Sequence, residues 1–169
     1  YDRLALVDEG EVIPWLAADW ERVGDSGIEV SLREADWHDG EPVTAEDVAF
    51  TYEFLRDTGM GTSESAVPTP TFRGRVSAVE KATPVDGETV RLTLDGVNDA
   101  VGVSALQVPI LPKHVWEERT EMATIAGFEF DAETTEAVVT NNEDPIGSGP
   151  VRFAEAAPEE SVAFERNPD

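Results

Sequence analysis

The chain has 169 residues, enough for one ordinary domain or for two partial lobes. It carries 36 acidic and 12 basic residues, so its formal net charge is −24. A surface this acidic repels phosphate groups, which excludes nucleic acid as a partner and disfavours an anionic membrane surface. The lack of cysteine excludes disulfides, thiol nucleophiles and thiolate metal sites, and no apolar run approaches the roughly 18 residues of a membrane span.

The acidic residues are spread along the whole chain and do not form a tail. Two explanations compete: a pocket that binds cations, and adaptation to high salt, where ions screen the self-repulsion of a heavily charged surface. We favour a halophilic protein, because acids lie in every segment. The scarcity of lysine fits this interpretation, since Lys81 and Lys113 are the only two lysines among the 12 basic residues.

The first part of the chain is predicted to be rich in β-structure. Residues 1–35 are punctuated by proline and glycine, and Ile28–Arg33 alternates apolar and polar side chains. This alternation is typical of a strand that is half-buried on one face. Asp39-Gly40 then marks a turn.

The clearest local signal is the start of a helix. Thr44 is a suitable N-cap for a helix from about Ala45 to Arg56, and Asp47 stands near the spacing of a capping box. Apolar side chains on two sides of this helix predict that it lies between a sheet and another layer. One side carries Val48, Tyr52 and Leu55, and nearly opposite lie Phe50 and Phe54.

Shorter elements follow the helix. Residues 57–75 are predicted to form a loop, and Val76–Thr83 and Thr89–Leu94 to form a hairpin around Asp86-Gly87. The other predictions, in chain order, are a short helix at 98–106, a helix opening at Leu111-Pro112 with Pro112 in its first turn and Trp116 packed inward, an irregular polar stretch at 120–145, a tight turn at 147–150, and a final hairpin with arms Val151–Phe153 and Val162–Phe164.

No residue pattern indicates catalysis, a metal site or a cofactor. His38 and His114 lack a metal-ligand spacing, and we interpret both as surface or packing residues. Proline and a strand follow Gly147-Ser148-Gly149, where a phosphate loop would continue into a helix, so these residues are predicted to form a turn. With 36 acids, no carboxylate pair stands out. The tryptophans are interpreted as core residues, of which one or two can line a ligand cleft: Trp15, Trp20, Trp37 and Trp116.

Six segments match one set of family motifs in the same order. The most specific is Trp37–Val48, which resembles an aromatic-x-Asp-Gly-x-Pro-Leu-Thr-Ala-x-Asp-Val run. Similar motifs lie at Pro14–Glu21, Ile28–Arg33, Pro109–His114, Pro145–Pro150 and Glu165–Pro168. The chain therefore resembles the extracellular solute-binding proteins of ABC importers for oligopeptides, dipeptides and nickel chelates (family 5). Val151 departs from the pattern, since the family usually has Tyr or Phe there.

The resemblance implies a mixed α/β fold of the type II periplasmic-binding-protein kind. This chain is then a fragment, in which 1–111 form the accessory lobe and 112–169 return into the first ligand-binding lobe. The opposite ligand-binding lobe is missing, so full ligand binding is expected to be lost. The motif residues are expected to shape turns and cap or bury the signature helix. They are Trp37, Asp39, Gly40, Pro42, Thr44, Ala45, Asp47, Val48, Pro112, Gly147, Gly149 and Pro150.

The resemblance also implies a function. We expect a non-enzymatic component that binds a solute, with a peptide as the first expectation, and delivers it to ABC permease subunits. Its location is expected to be extracellular, through a lipid anchor outside this chain, or periplasmic. Phe72, Arg73 and Gln107 are the candidate ligand contacts, and Arg73 can pair with a ligand carboxylate.

Three alternatives to a peptide-binding protein remain open. The first is a binding protein whose solute is a nickel chelate or an oligosaccharide. The second belongs to another class, a metal-dependent hydrolase that uses surface acids. The third is a sensory or regulatory domain that borrows this fold, which a fused kinase or DNA-binding segment would reveal.

The charge predicts salt-dependent folding. Molar salt screens the mutual repulsion of the acidic side chains, so the folded fraction is expected to rise with salt concentration. Circular dichroism across a salt titration measures this fraction. Equal stability at very low ionic strength would show that the interpretation as a halophilic protein is wrong.

Overall fold

Antiparallel strands and short helices alternate along the chain. The computed structural model describes residues 1–57, 73–95, 99–119, 122–123, 134–135, 142, 144–157 and 161–168. The strands are β1 (Ala5–Asp8), β2 (Glu11–Pro14), β3 (Ala17–Val23), β4 (Gly27–Leu32), β5 (Val79–Pro84), β6 (Thr89–Leu94), β7 (Met122–Ala123), β8 (Thr134–Thr135), β9 (Val151–Ala157) and β10 (Ser161–Arg166). The helices are α1 (Ala45–Asp57), α2 (Arg73–Val76), α3 (Asp99–Ala105) and α4 (Lys113–Trp116), and a 3₁₀-helix covers Glu117–Arg119.

A four-stranded antiparallel sheet is the centre of the fold. Its strand order is β3-β4-β6-β5, and β4 pairs with β6 so that Val30 lies opposite Val90. Both valines are fully buried, because alternate residues of these strands face the core. The hairpin predicted around Asp86-Gly87 is confirmed, and the Asp86 carboxylate accepts the backbone N–H of Thr89 at 2.7 Å.

The first residues of the chain lie between two other backbone segments. The Leu4 carbonyl accepts the backbone N–H groups of Trp15 at 2.9 Å and Ala17 at 3.0 Å. On the other side, Ala5 donates to the Leu106 carbonyl at 3.0 Å. Because Leu4 and Ala5 are fully buried, this short segment is part of the core.

Helix α1 is covered on two sides, as predicted. It contacts β5 and β6, and its Val48 and Tyr52 side chains are buried. Phe54 is also buried, and its ring lies edge-on to Trp116 of α4 with the ring centroids 6.0 Å apart. The helix extends to Asp57, one residue beyond the predicted end.

Polar side chains of α1 hold the segment that leads into α4. Among the residues that the structure describes, the buried polar side chains are Asp47 and Thr51. The Asp47 carboxylate accepts the Thr44 backbone N–H at 2.8 Å and the Thr44 hydroxyl at 2.9 Å through one oxygen, and the Lys113 backbone N–H at 2.8 Å through the other. One turn later, the Thr51 hydroxyl accepts the backbone N–H of Leu111 at 2.9 Å. Asp47 therefore makes the bond to the Thr44 backbone N–H that a capping box requires, and it also joins two distant segments.

Tyr52 makes a further connection from the same helix. Its hydroxyl donates to the Ala105 carbonyl at 2.6 Å, at the end of α3. Burial of the ring raises the pKa of the Tyr52 phenol, so the group stays protonated and remains a donor.

Two sequence predictions of element boundaries are wrong. The strand predicted to start at Val76 starts at Val79, because residues 73–76 form the short helix α2. Val76 and Val79 are both buried, and their spacing of three suits a helical turn that enters a strand. Pro112 is the N-cap of α4 and does not belong to its first turn.

The remaining predictions agree with the structure in part. Helix α3 matches the prediction for 98–106, and the final hairpin is formed by β9 and β10. Of the stretch 120–145, which was predicted to be irregular, the structure describes β7, β8 and three further residues. The predicted loop at 57–75 lies mostly outside the described residues, but its two described ends are helical, since Asp57 ends α1 and residues 73–75 belong to α2.

Replacement of Asp47 by alanine is expected to lower the free energy of unfolding by about 3 kcal/mol, because buried donors then lose a charged acceptor. Asp47→Asn keeps one acceptor oxygen and is expected to cost less. Urea unfolding monitored by tryptophan fluorescence measures the change.

The matched control is Glu53→Ala, an exposed position on the same helix, with an expected change within about 0.5 kcal/mol. An Asp47→Ala change as small as that of the control would contradict the proposed role of the carboxylate.

Candidate functional site

Three of the segments that carry the family motifs meet in space. We call this region the motif junction, and it comprises residues 36–48, 109–114 and 145–150. Besides the Asp47 carboxylate, two ion pairs and a histidine connect these segments.

The first segment is shaped by a tight turn. Trp37 donates its backbone N–H to the Glu41 carbonyl at 2.7 Å, and Gly40 donates to the Trp37 carbonyl at 2.8 Å. Gly40 has φ +89°, a conformation that L side chains rarely adopt, which explains the glycine in the motif. Pro42 pairs with Asp36 as an isolated antiparallel bridge, so the turn closes just before the helix starts.

Two ion pairs join this turn and helix to α4. His114 Nε2 lies 2.8 Å from Asp39 Oδ2, and Lys113 Nζ lies 2.6 Å from Glu46 Oε2. All four side chains are partly exposed, so each pair contributes little stability.

These contacts shift the pKa values of the carboxyl groups. Partial burial acts to raise the pKa of Asp39, but the hydrogen bond from His114 and the backbone bond from Glu41 outweigh it, so the pKa falls below its ordinary value. The hydrogen bond and the charge of Lys113 lower the pKa of Glu46.

His38 forms hydrogen bonds with the glycine-rich turn at residues 147–150. Its backbone N–H donates to the Gly147 carbonyl at 2.8 Å, and its ring Nε2 lies 2.9 Å from the Gly149 carbonyl. Ring Nδ1 accepts the Gly147 backbone N–H at 3.3 Å. Both ring contacts are satisfied together only when the proton is on Nε2, so the network assigns the neutral Nε2–H tautomer.

The same turn also contacts the start of the chain. The Ser148 hydroxyl donates to Asp2 Oδ2 at 3.0 Å. A Cβ atom at Gly149 would lie 3.3 Å from Asp2 Oδ1, and one at Gly147 would lie 3.2 Å from the His38 ring. Small residues at these two positions therefore allow the turn to approach both segments closely.

The motif junction is polar, and it contains the Lys113–Glu46 and His114–Asp39 ion pairs. A depression of about 270 Å³ lies over it, and its lining includes Glu46, Lys113 and His114. Ligand pockets are mostly apolar with a few polar groups, so this depression does not have the usual character of a solute site. In the part of the chain that the structure describes, no group of three or more His, Asp or Glu side chains is placed to hold a metal ion.

The candidate ligand contacts do not belong to the motif junction as defined above. Phe72 is outside the described residues, and Arg73 begins helix α2, with its side chain also outside them. Gln107 is half-buried, and its side-chain amide donates to the Val103 carbonyl at 3.2 Å. The structure brings α2 next to Gln107, because Arg75 Nη1 donates to the Gln107 carbonyl at 3.4 Å.

The tryptophans differ in exposure. Trp37 and Trp116 are buried and Trp20 is half-buried, in agreement with their interpretation as core residues. Trp15 is 37% exposed and is the most accessible of the four. It is therefore the tryptophan best placed to contact another molecule.

Several contacts of the motif junction were not predicted from the sequence. His38 was interpreted as a surface or packing residue, but it holds a turn whose Gly149 is 111 positions away. No spacing rule connects such distant residues, so the only available signal was that both lie within family motifs.

The motifs identify the family of the chain. The family described as bacterial extracellular solute-binding proteins, family 5 Middle, matches residues 11–169. The chain therefore belongs to this family, and the expected resemblance is confirmed.

Known proteins of this kind are similar over nearly the whole chain. NikZ from Campylobacter jejuni, solved in complex with Ni(L-His), has 25% identity and a TM-score of 0.73, with 98% of this chain and 29% of that chain covered. The mannohexaose-bound periplasmic oligopeptide-binding protein of an oligopeptide ABC transporter from Thermotoga maritima has 30% identity and a TM-score of 0.73, with 99% and 28% covered.

A curated relative shows the same partial match. The peptidoglycan-binding protein YepA from Agrobacterium fabrum is 33% identical over 138 residues, which are 80% of this chain and 18% of the relative. The chain thus spans about a fifth of the length of the curated relatives it matches. The predicted α/β fold of the type II periplasmic-binding-protein kind, covered in part, is confirmed.

The location also follows from the family. Its members are extracellular or periplasmic binding proteins, as predicted for this chain. Within the described residues, no helix combines the length and apolar character needed to cross a bilayer.

The Asp39–His114 pair predicts a change in acid stability. The folded state lowers the pKa of Asp39 below its ordinary value of 3.8. Between the folded-state pKa and the ordinary value, the unfolded state therefore binds more protons at Asp39 than the folded state does. The stabilisation of the folded state by the ionised Asp39 is present above about pH 4 and is lost as the pH falls through the folded-state pKa. Asp39→Asn is expected to reduce the change in the free energy of unfolding over this pH range by about 0.5 kcal/mol, the size expected for a partly exposed pair.

Urea unfolding between about pH 2.5 and 5 measures the effect. The control is the His114→Ala background, where Asp39→Asn should have a smaller effect because the partner is gone. An equal effect in both backgrounds would show that His114 is not responsible.

Proposed function

We propose that this chain is part of the solute-binding component of an ABC importer, which binds a peptide and delivers it to permease subunits in the membrane. The observation that carries the proposal is the family match over residues 11–169, together with superposition of 98% or more of the chain on solved binding proteins. Such a protein binds and releases its solute without chemical change, so no catalytic residue is proposed.

A peptide is the first choice among the solutes. The Thermotoga maritima relative is named as an oligopeptide-binding protein of an oligopeptide transporter, and the aligned residues of the two chains are 30% identical. The same protein was solved with mannohexaose, and NikZ was solved with Ni(L-His). An oligosaccharide and a nickel chelate are therefore the alternative outcomes of a ligand test.

The proposed ligand contacts are Phe72, Arg73 and Gln107. Helix α2 and the end of α3 are adjacent through the bond between Arg75 and the Gln107 carbonyl, so Arg73 and Gln107 belong to neighbouring segments. An arginine in this position suits the carboxylate of a peptide, because guanidinium forms two parallel hydrogen bonds with it.

The two proposed lobes of the chain are connected tightly. We retain 1–111 as the accessory lobe and 112–169 as the segment that enters the first ligand-binding lobe. The bond from Lys113 to Asp47 and the Lys113–Glu46 pair both cross this boundary. Closure of the protein around its solute would therefore involve a lobe outside these residues, and that lobe would move against the joined segments 1–111 and 112–169.

Three properties of the whole protein are further proposals. A lipid anchor outside this chain would hold it at the cell surface. The acidic surface would keep it soluble at high salt, since its net charge is −24. Contacts with the permease subunits would complete the importer.

Native mass spectrometry of the whole protein tests the proposed function. The expected result is a co-purifying mass in the range of short peptides. In that protein, Arg73→Ala is expected to weaken peptide binding by about 10- to 100-fold, because a charged hydrogen bond to the carboxylate is lost.

Arg91→Ala is the matched control, because this exposed arginine pairs with Glu29 at 2.6 Å on the central sheet. Its peptide affinity should equal that of the unmodified protein. A bound nickel chelate or oligosaccharide would contradict the choice of peptide, and metal-dependent turnover of a substrate would contradict the proposed function itself.

A further inference from the structure

The two histidines of the chain both make contacts of the tight turn at residues 37–40. His38 belongs to this turn, and its ring contacts residues 147–149, whereas the His114 ring on α4 lies 2.8 Å from the Asp39 carboxylate. Histidine is the side chain that ordinarily changes charge between about pH 5 and 8. A change of pH in this range therefore acts on two contacts of the same turn.

The two contacts respond to an added proton in opposite ways. The His114 ring faces a carboxylate, so a positive charge on the ring strengthens its contact with Asp39. The His38 ring faces one donor and one acceptor: Gly147 donates its backbone N–H to Nδ1 at 3.3 Å, and Nε2 donates to the Gly149 carbonyl at 2.9 Å. A second proton on the His38 ring occupies Nδ1 and leaves two N–H groups facing each other.

The close packing around the His38 ring leaves little room to relieve this conflict. A Cβ atom at Gly147 would lie 3.2 Å from the ring, and the Gly147 nitrogen lies 3.3 Å from Nδ1, so no water molecule fits between the two nitrogens. The Gly147 carbonyl already accepts the backbone N–H of His38 at 2.8 Å. The charged ring is therefore accommodated when the ring and residues 147–150 move apart.

The segments next to His38 carry both acidic and basic side chains. The acidic ones are Asp36, Asp39 and Glu41 on its own segment, Asp2 at the start of the chain and Asp144 before the glycine-rich turn, and the basic ones are Arg3, Lys113 and Arg152. Carboxyl groups ordinarily change charge near pH 4, and lysine and arginine above about pH 10. A response between about pH 5 and 8 is therefore assigned to the histidines.

The glycine-rich turn at residues 147–150 is also the base of the β9–β10 hairpin. Strand β9 begins at Val151, directly after Pro150. Asn167, which follows β10, donates its backbone N–H to the Pro150 carbonyl at 2.9 Å. Both arms of the hairpin are thus attached to the turn that His38 contacts, so this contact also positions the base of the hairpin.

We propose that His38 makes the attachment of the glycine-rich turn sensitive to pH. When the ring takes up a second proton, residues 147–150 separate from the turn at 37–40, and the base of the hairpin is released with them. The contact between His114 and Asp39 is kept, so the change is confined to one side of the turn at 37–40. This proposal does not depend on which solute the protein binds.

Histidine NMR and amide hydrogen exchange test the proposal in the whole protein. NMR of the ring nitrogens is expected to show neutral His38 with its proton on Nε2, and the signal is assigned by its loss in His38→Gln. From about pH 8 to 5, the exchange protection of a peptide that contains residues 145–150 is expected to fall about tenfold as this ring is protonated, because one hydrogen bond is lost. The intrinsic pH dependence of amide exchange is subtracted first.

The same substitution at the other histidine is the matched control. His114→Gln leaves the His38 contact intact, so the loss of protection on acidification should remain. His38→Gln has no titrating ring at this position and should show no such loss. A loss of protection that persists in His38→Gln would assign the response to another group and would overturn the proposal.

Two results on the unmodified protein are also decisive. A proton on Nδ1 of the neutral His38 ring would overturn the proposal, and so would equal protection of residues 145–150 at both ends of the pH range. If His38→Gln prevents folding, the exchange of the unmodified protein and of His114→Gln still decides the question, because protection that does not fall on acidification in both proteins contradicts the proposed release.

Discussion

The arrangement of this chain depends on one buried carboxylate. Asp47 is 4% exposed and accepts hydrogen bonds from Thr44 and from Lys113, which are close neighbours in space but far apart in sequence. A buried charge is tolerated when donors satisfy it, and here the donors are the cap of its own helix and the N–H of the first residue of α4. Helix initiation and the joining of two segments are therefore properties of the same side chain.

The other polar contacts of the motif junction extend this connection outward. Thr51 repeats the link one helical turn later, and Tyr52 reaches the end of α3. His38 and Asp2 then hold the Gly147–Gly149 turn through backbone groups and a serine hydroxyl. Because these bonds go largely to backbone atoms, they fix the course of the chain while permitting changes of side chain elsewhere. The solved Thermotoga maritima protein has a similar fold, with a TM-score of 0.73 at 30% identity.

The motif residues and the proposed ligand contacts lie on different segments of the chain. The motif residues around Asp47 hold the scaffold, whereas the proposed contacts at Arg73 and Gln107 lie near helices α2 and α3. Solved relatives with Ni(L-His) and with mannohexaose share the scaffold to the same degree, with a TM-score of 0.73 for each. Similar scaffolds thus occur in proteins solved with different solutes, because a fold does not by itself fix the solute.

Local patterns in the sequence determined much of the secondary structure. The spacing of Thr44 and Asp47 predicted the start of α1 to the residue, and Asp86-Gly87 predicted the β5–β6 hairpin, because caps and turns depend on neighbours a few positions away. The family motifs determined the fold class. The start of β5 was missed, since a buried valine at position 76 suits a strand as well as a helical turn.

Only the tertiary structure decided which distant segments meet. The bonds from Asp47 to Lys113 and from His38 to Gly149 join positions 66 and 111 residues apart, and no local preference encodes them. The exposure of Val162 and Phe164 was likewise not predictable from the sequence, where both have the pattern of a half-buried strand. Burial depends on which surfaces are packed together, and this is a property of the folded chain as a whole.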